Sequence, residues 1–474
     1  MSEKDISSSE VTFQDTTYRL VRQDDGEKRL YVQGDTEGFA GEREDDVLVC
    51  PLTAENAAAL RERLPWLRPQ PLGLQTSFGF GDRLGLATPG HISAARQFED
   101  IVPIFAQQSV RENERTGRSP QQVMDEAMWG LFEVGWQGKW GSDADHLKTP
   151  DAVDPFVEAG YTFYTIDPGD HVDNEAHTAE LQVLEQKLDA LPWEDLGTTR
   201  EAIEERYLDK VFELENFSFT MDRETLYRAA AKYGGAIAHT VRMSRYIDER
   251  MGDAPFDLEV SVDETETPTS PAEHYFIAGE LKRLGVRWVS LAPRYVGRFE
   301  KGVDYIGDLD EFEEAIAKHA AIAREMGLYK LSIHSGSDKF SIYSIVADKT
   351  NGLVHVKTAG TSYLEALRTV AQVDPGFFRE ILTLARERYE TDRATYHVSG
   401  ELSKVPTPDE LSDSELPQLL DQFDARQVLH VTYGSVLDKW GGRLHNALVA
   451  HEGVYAEMLR RHFERHLAPL SSAA

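Results

Sequence analysis

Strand-like and helix-like patterns of apolar residues alternate along most of this 474-residue chain. The strand-like runs are short, rich in β-branched and aromatic residues, and bounded by Gly, Pro or Asp. They cover residues 72–81, 102–109, 139–148, 161–167, 256–266, 286–294, 329–338 and 353–362. The segments between them carry helix signals, such as the capping box SPAE at 270–273 and the apolar face of the segment that begins at Leu309.

About eight strand–helix units therefore lie between residues 72 and 390. Such alternation predicts a parallel sheet, either closed into a barrel or doubly wound. A closed barrel of eight units takes about 250 residues before insertions, which suits the length available. No G-x-G-x-x-G motif follows a strand and opens a helix, which weakens the doubly wound, dinucleotide-binding alternative. The predicted fold class is α/β, a (β/α)8 TIM-like barrel.

The flanking sequence predicts additions to this barrel. Residues 1–65 contain short alternating strands and form a small β-rich extension, and residues 66–395 form the barrel domain. The charged segment 178–222 is partly helical without an obvious strand, and we interpret it as an insertion. Residues 396–474 form a C-terminal extension that packs on the barrel, with one more strand predicted at 428–435.

Charge and cysteine content limit the partners and the compartment. The chain carries 82 acidic and 50 basic residues, a net charge of −32, which disfavours nucleic acid and anionic membranes as partners. An anionic substrate would need a local cluster of basic residues. The single cysteine, Cys50, excludes an internal disulfide framework, so a reducing cytoplasm is the simplest location. No apolar run is long enough to span a bilayer, and the amino terminus lacks the pattern of a signal peptide. The sequence is compatible with a homo-oligomer.

Polar residues lie at or just past the end of most predicted strands. They are Asp82; Asp143, Asp145, His146 and Lys148; Asp170 and His171; Asp263, Glu264 and Glu266; Arg294; His334, Asp338 and Lys339; and His355, Lys357 and Thr358. In a barrel of parallel strands all these ends meet at one face, where active sites form. The sequence therefore predicts an active site assembled from distant segments.

Each residue also has a purely structural interpretation. Asp167 and Asp170 fit turn residues that bond to the local backbone, and His171 fits a solvated loop residue. Lys357 lies in an apolar strand and needs an anionic partner or a functional reason. His319 is interpreted as a core residue and His430 is intermediate. The other C-terminal histidines are interpreted as ordinary helix residues: His445, His451, His462 and His466.

Imidazoles that converge with carboxylates suit a catalytic divalent cation with open coordination positions. No H-E-x-x-H motif is present, so the ligands would come from distant segments. No G-x-S-x-G motif and no P-loop are present either, which argues against serine hydrolases and P-loop NTPases.

Several long strings resemble the tagaturonate/fructuronate epimerase family of bacterial hexuronate catabolism. They include TSFGFGDRLGLATPGH, DADHLKT, TIDPGDHVDN, VDETETPTSPAEHYFIAGELKRLGV, SLAPRYVGRFEKGVDYIGDL, SIHSGSDKFSIY and HVKTAGTSYLEALR, and the resemblance runs from about residue 70 to 465. It implies a divalent metal (Zn, Mn, Ni, Co or Fe), a small keto-uronate substrate and inversion at C4.

The resemblance also implies roles for individual residues. His171, His334 and His355 are the expected metal ligands, and Asp170 and Glu266 are the expected acid–base pair. The residues expected to bind the substrate are Lys148, Arg294, Asp338, Lys339 and Lys357. A retro-aldol route is the predicted chemistry, because the C4 proton is β to the ketone and is not acidified. A metal-dependent aldolase is the main alternative, and a non-catalytic sugar-acid sensor is a third.

Overall fold

The computed structural model describes residues 4–24, 26–215 and 217–471. Its fifteen strands are β1 Lys4–Phe13, β2 Thr16–Arg22, β3 Lys28–Gln33, β4 Glu42–Glu44, β5 Val47–Pro51, β6 Ser77–Phe80, β7 Val102–Ser109, β8 Gly141–Leu147, β9 Phe163–Ile166, β10 Lys210–Leu214, β11 Phe217–Met221, β12 Asp257–Ser261, β13 Ser290–Ala292, β14 Lys330–Ile333 and β15 Val354–Thr358.

The α-helices fall between and after these strands. They are α1 Ala54–Arg63, α2 Thr88–Ala95, α3 Val110–Thr116, α4 Pro120–Glu133, α5 Pro150–Ala159, α6 Leu181–Asp189, α7 Arg200–Tyr207, α8 Arg223–Met251, α9 Pro271–Arg283, α10 Leu309–Met326, α11 Tyr343–Thr350, α12 Thr361–Val373, α13 Pro375–Asp392, α14 Phe423–Val431, α15 Tyr433–Ala450 and α16 Glu452–Leu467. No described helix combines the length and the hydropathy that crossing a bilayer requires.

Eight parallel strands close into a barrel in the order β6-β7-β8-β9-β12-β13-β14-β15, with β15 paired to β6. This confirms the predicted (β/α)8 fold. Side chains alternate across each strand, so Phe78 and Phe80 of β6 face outward and pack on Phe463 of α16, with ring centroids 6.0 and 5.0 Å apart. The C-terminal helix thus covers the outer surface of the barrel beside β6.

The five strands before the barrel form an antiparallel sheet in the order β1-β2-β3-β5-β4. The division of the chain at residues 65 and 395 stays a prediction. Two details inside the predicted segments were wrong, however, and each has a physical reason.

Strands β10 and β11 form a hairpin inside 178–222, where no strand was expected. Its signal was the alternation of Phe217, Phe219 and Met221 with polar residues. The aromatic residues of the hairpin form a ladder, in which Phe212 stacks on Phe219 with ring centroids 5.3 Å apart.

The segment 428–435 is helical, not a strand, because it belongs to α14 and α15. Its residues from Val428 to Tyr433 are all buried, so the run is buried on every side. A short run of that kind does not distinguish a buried strand from a buried helix.

Candidate active site

The centre of the barrel interior holds a buried lysine surrounded by carboxylates. Lys357 Nζ lies 2.8 Å from Asp143 Oδ2, 2.8 Å from Asp145 Oδ1 and 2.9 Å from Glu259 Oε1. It also donates a hydrogen bond to Thr165 Oγ1 at 2.6 Å. All five side chains are buried, which answers why a lysine occupies this apolar strand: it neutralises charge that would otherwise be very unfavourable inside the barrel.

Three carboxylates share this one ammonium group, and their pKa values separate. Burial raises the pKa of Asp143 to about 7, against the attraction of Lys357. Burial acts in the same direction on Asp145 and Glu259, but Lys357 outweighs it. The pKa of Asp145 therefore lies well below its usual range, and that of Glu259 falls to about 2. Asp145 and Glu259 are accordingly ionised at neutral pH.

His334, directly after β14, is oriented by Asp145. Its Nε2 lies 2.9 Å from Asp145 Oδ1. Because an ionised carboxylate only accepts hydrogen bonds, Nε2 must carry the hydrogen. Within the described part of the chain Nδ1 is buried without a hydrogen-bond partner, and it faces Asp263 Oδ1 at 3.7 Å and Glu259 Oε1 at 3.8 Å. His334 Nδ1 thus faces two carboxylates.

His146 reaches the same site because β8 is irregular. The register with β9 shifts between Ala144 and Leu147, and His146 has a left-handed backbone with φ of 56°. A regular strand would direct Asp145 and His146 to opposite faces, whereas here both contact the His334 imidazole. The two rings lie 4.3 Å apart between centroids, and the Asp145 oxygen bonds to His334.

A carboxylate orients His146 as well. Its Nδ1 lies 2.9 Å from Asp167 Oδ2, and its Nε2 faces Glu264 Oε1 at 4.0 Å. Burial lowers the pKa of His146, but Asp145 and then Asp167 and Glu264 outweigh it and raise the pKa to about 10. The ring therefore holds a proton on the nitrogen that faces Glu264.

A cavity of about 330 Å³ opens beside these groups. It is lined by Ser109, Val110, Arg111, Glu114, His146, Lys148, Thr149, Ala152, Asp167 and Glu264. Lys148 Nζ lies at its edge, 2.9 Å from Asp170 Oδ1 and 3.7 Å from Asp167 Oδ2. The lining therefore contains the His146 imidazole, the cationic side chains of Arg111 and Lys148, and acidic side chains from loops that follow different strands.

The described residues include groups that could bind a metal ion here. Asp145, His146 and His334 have ligand atoms within 4.8 Å of one another, and so do His146, Asp167 and Glu264. Each imidazole donates to a carboxylate through one nitrogen, the pairing that commonly orients metal-ligating histidines. The nitrogen and oxygen donors fit a divalent cation such as Zn, Mn, Fe, Co or Ni. The carboxylates around His146 raise its pKa, so positive charge is favourable at this place.

Two of the expected ligands lie outside these groups. His171 is exposed and stacks on His239 of α8, with ring centroids 4.0 Å apart. His355 lies deeper in the barrel than Lys357, where its Nδ1 is 2.9 Å from Ser77 Oγ. Among the described residues, the structure thus brings His334 to the candidate metal groups but neither His171 nor His355.

The expected acid–base residues lie at the rim. Asp170 is 70% exposed in its side chain and contacts Lys148. Glu266 is exposed, and its backbone N–H donates to Asn174 Oδ1 at 3.1 Å, while Glu264 lines the cavity. Arg294 Nη1 donates to the backbone carbonyl of Asp263 at 3.4 Å, so it supports the loop that carries Glu264.

Asp338 and Lys339 hold other parts of the protein together. Asp338 Oδ1 lies 2.6 Å from His462 Nε2, and its Oδ2 lies 2.8 Å from Arg426 Nη2. The Asp338 backbone N–H donates to His466 Nε2 at 3.0 Å. This cluster anchors α16, so His462 and His466 are not the ordinary helix residues that were expected. The adjacent Arg426 cation makes the cluster unfavourable for a metal ion.

The buried Lys339 Nζ donates to the backbone carbonyls of Glu300 and Ser337 at 2.8 and 2.9 Å, and also contacts the Val303 carbonyl. Burial lowers its pKa to about 7. The structure therefore uses Lys339 to join the loops that follow β13 and β14.

Sequence reasoning gave too little weight to Asp167 and did not single out Arg111. Asp167 looked like a turn residue, and it does accept from the Gly169 N–H at 2.9 Å through its second oxygen. The signal that could have found both is position, because each lies within two residues of a strand's carboxyl end.

The chain is similar to one family of known proteins over nearly its whole length. The family model described as tagaturonate epimerase (UxaE) matches residues 7–470. The tagaturonate/fructuronate epimerase of Thermotoga maritima is 44% identical over 460 residues, which cover 95% of this chain and 93% of the relative. A glycerol-complexed crystal structure of the fructuronate-tagaturonate epimerase UxaE from Cohnella laeviribosi superposes with a TM-score of 0.94 at 39% identity, covering 99% of this chain and 96% of that one. Its native crystal structure gives a TM-score of 0.92 at 38% identity. The chain therefore belongs to the tagaturonate epimerase family and is an enzyme of the isomerase class.

Proposed function

We propose that this enzyme interconverts tagaturonate and fructuronate by inversion at C4, with a divalent cation bound by His146, His334 and neighbouring carboxylates. One observation carries the proposal. Two imidazoles meet beside the cavity, and each is fixed by a carboxylate through one ring nitrogen. The family membership supplies the substrate class.

The substrate itself restricts the chemistry. With the ketone at C2 and the carboxylate at C6, the hydrogen on C4 is β to the ketone and is not acidified. Removing the proton of the C4 hydroxyl instead allows the C3–C4 bond to break, and its electron pair moves to C3 and the ketone oxygen. The products are a three-carbon enediolate and a hydroxyaldehyde acid. Rotation of the aldehyde and re-formation of the bond then invert C4.

A divalent cation bound in this site would polarise the C2 carbonyl and favour this cleavage. The residues suited to hold it are His146 and His334, together with Glu264 or Asp263, whose oxygens face the imidazole nitrogens at 4.0 and 3.7 Å. Asp145 and Asp167 would orient the two rings from behind.

Proton transfer needs a group on each side of the rotating aldehyde. Glu264 lines the cavity from the loop after β12 and can take the C4 hydroxyl proton of one epimer. Lys148 and Asp170, paired at 2.9 Å, follow β8 and β9 and can serve the other epimer. Their roles exchange when the reaction runs in the opposite direction.

This assignment keeps His334, Asp170 and Lys148 from the sequence prediction. It places His146 where His171 and His355 were expected and Glu264 where Glu266 was expected. The reason is distance, because the replacements have ligand atoms near one another and line the cavity.

Metal removal tests the proposal. Purified enzyme is treated with a chelator, and the conversion of fructuronate to tagaturonate is followed by NMR. We expect activity to be lost and to return when Zn, Mn, Co, Ni or Fe is added. The control receives NAD alone. Full recovery with NAD but not with a metal would refute the retro-aldol route in favour of transient oxidation at C4.

The same assay separates an epimerase from a metal-dependent aldolase. We expect the aldehyde fragment to stay bound, so that an aldehyde-trapping reagent in solution recovers almost none of it. Accumulation of free aldehyde in proportion to turnover would identify the enzyme as a lyase.

A further inference from the structure

Arg111 is a cation in the cavity wall that none of the assignments above uses. It is the second residue of α3, directly past the carboxyl end of β7, and it lines the cavity with His146, Lys148 and Glu264. Its side chain is 45% exposed, so it can reach a molecule in the cavity.

The charge of the site makes such a cation necessary for an anionic substrate. The chain carries a net charge of −32, and ionised acids surround the candidate metal ligands. The other basic side chains of the lining already have carboxylate partners: Lys148 is bonded to Asp170 at 2.9 Å, and His146 is bonded to Asp167 at 2.9 Å. A carboxylate that entered the cavity would otherwise be repelled.

The guanidinium of Arg111 is available for such a ligand. Its nearest described carboxylate oxygen is Glu264 Oε1 at 3.7 Å, which is an ion contact but longer than a hydrogen bond. The group is a permanent cation, because the guanidinium of arginine is not deprotonated in proteins. Its planar set of donors matches a carboxylate in a paired, bidentate geometry.

Nearby features support an anion at the same place. Thr149 also lines the cavity and precedes α5, yet its side chain makes no capping hydrogen bond to that helix. The same Glu264 oxygen lies 3.7 Å from Arg111 Nη2 and 4.0 Å from His146 Nε2. Arg111 and the candidate metal ligand His146 therefore lie close enough for one six-carbon substrate to contact both.

We infer that Arg111 binds the C6 carboxylate of the substrate and determines the preference for uronates over neutral ketohexoses. The inference rests on the proposed function and adds its specificity-determining residue. Cleavage of C3–C4 leaves the carboxylate on the aldehyde fragment. Holding that carboxylate retains the fragment while its carbonyl turns, and a neutral sugar has no charge at C6 for this contact.

The test compares Arg111→Gln and Arg111→Lys on the two uronates and on the neutral pair fructose and tagatose. We expect Arg111→Gln to lower kcat/KM for the uronates by about 10- to 100-fold, mainly through KM, because one charged, hydrogen-bonded contact is lost. The neutral sugars, measured as substrates or as competitive inhibitors, should change by less than about 3-fold, since they lack the charge. Arg111→Lys keeps the charge without the paired geometry, so its loss on uronates should be intermediate.

The matched control is Arg443→Gln, which removes an arginine of nearly equal exposure, 46%, from α15. It should leave all constants unchanged. Equal losses on uronates and neutral sugars would mean that Arg111 acts on the site in general, and unchanged uronate constants would remove it from recognition. Both results would overturn the inference.

The proposed function can fail separately. A wild-type enzyme that binds the uronates without converting them would refute the proposed epimerisation. The dissociation constants of the same three variants, measured by calorimetry, would then still decide whether Arg111 holds the carboxylate.

Discussion

The imidazole of His334 donates from Nε2 to Asp145 Oδ1 across 2.9 Å, and the same oxygen lies 2.8 Å from Lys357 Nζ. The lysine deep in the barrel is therefore linked through one carboxylate to a histidine at its mouth. The ionised Asp145 only accepts hydrogen bonds, so Nε2 of His334 must carry a hydrogen.

Asp145→Asn tests this link. The Asn amide can present its NH₂ to His334 and would then stabilise the His334 tautomer that lacks a hydrogen on Nε2. We therefore expect metal affinity to fall about 10- to 100-fold. Calorimetric titration of metal-stripped protein measures the loss. Asp154→Asn, at a carboxylate that pairs with Arg250 on the surface, is the control. Unchanged affinity in Asp145→Asn would show that this hydrogen bond does not prepare a ligand.

Lys357→Met should destabilise the whole fold. Removing the ammonium leaves Asp143, Asp145 and Glu259 buried without their counter-ion. We expect the free energy of unfolding to fall by about 3–5 kcal/mol in urea titrations. Lys318→Met, which breaks an exposed pair with Glu314 on α10, should have a small effect. Equal effects of the two substitutions would contradict the role of the buried cluster.

Glu264 and Glu266 offer a matched pair two residues apart. Glu264 lines the cavity and Glu266 is exposed at the rim. We expect Glu264→Gln to lower kcat by about 10²- to 10⁴-fold, because a proton-transfer group is lost, while Glu266→Gln changes it little. Metal content of both variants must be measured, since Glu264 is also a candidate ligand. The reverse order of effects would restore Glu266 as the catalytic carboxylate.

His466 should make the docking of α16 sensitive to acid. Burial and then His462 lower the pKa of His466 to about 3, while an unfolded histidine titrates near 6.5. The unfolded state therefore binds more protons between these values, and stability that is present above about pH 6.5 is lost as the pH falls toward 3.

Substitution of His466 tests this sign. In His466→Gln we expect the loss of unfolding free energy relative to wild type to be larger at about pH 7.5 than at about pH 5, as measured with denaturant. The exposed His451→Gln serves as the control. A difference that does not depend on pH would mean that His466 contributes packing alone.

Position along the chain predicted that Asp145, Lys148 and Glu264 lie near one another. Each lies at or just past the carboxyl end of a barrel strand, and those ends must meet. The same rule placed Asp338 and Lys339 in the site, but their side chains turn away from it. Past a strand end the loop is free to point either way, and packing against α16 decided the direction.

The sequence alone determined the barrel, because alternating strand and helix periods leave few ways to bury both. Local patterns also determined most helix starts, since caps such as Ser119 and Ser270 act within four residues. Only the tertiary structure decided which histidines meet. A one-residue irregularity in β8 turns His146 inward, and residue spacing carries no record of such a shift. The neutralisation of Lys357 likewise depends on three strands from separate parts of the chain, and only their closure brings those charges within 3 Å.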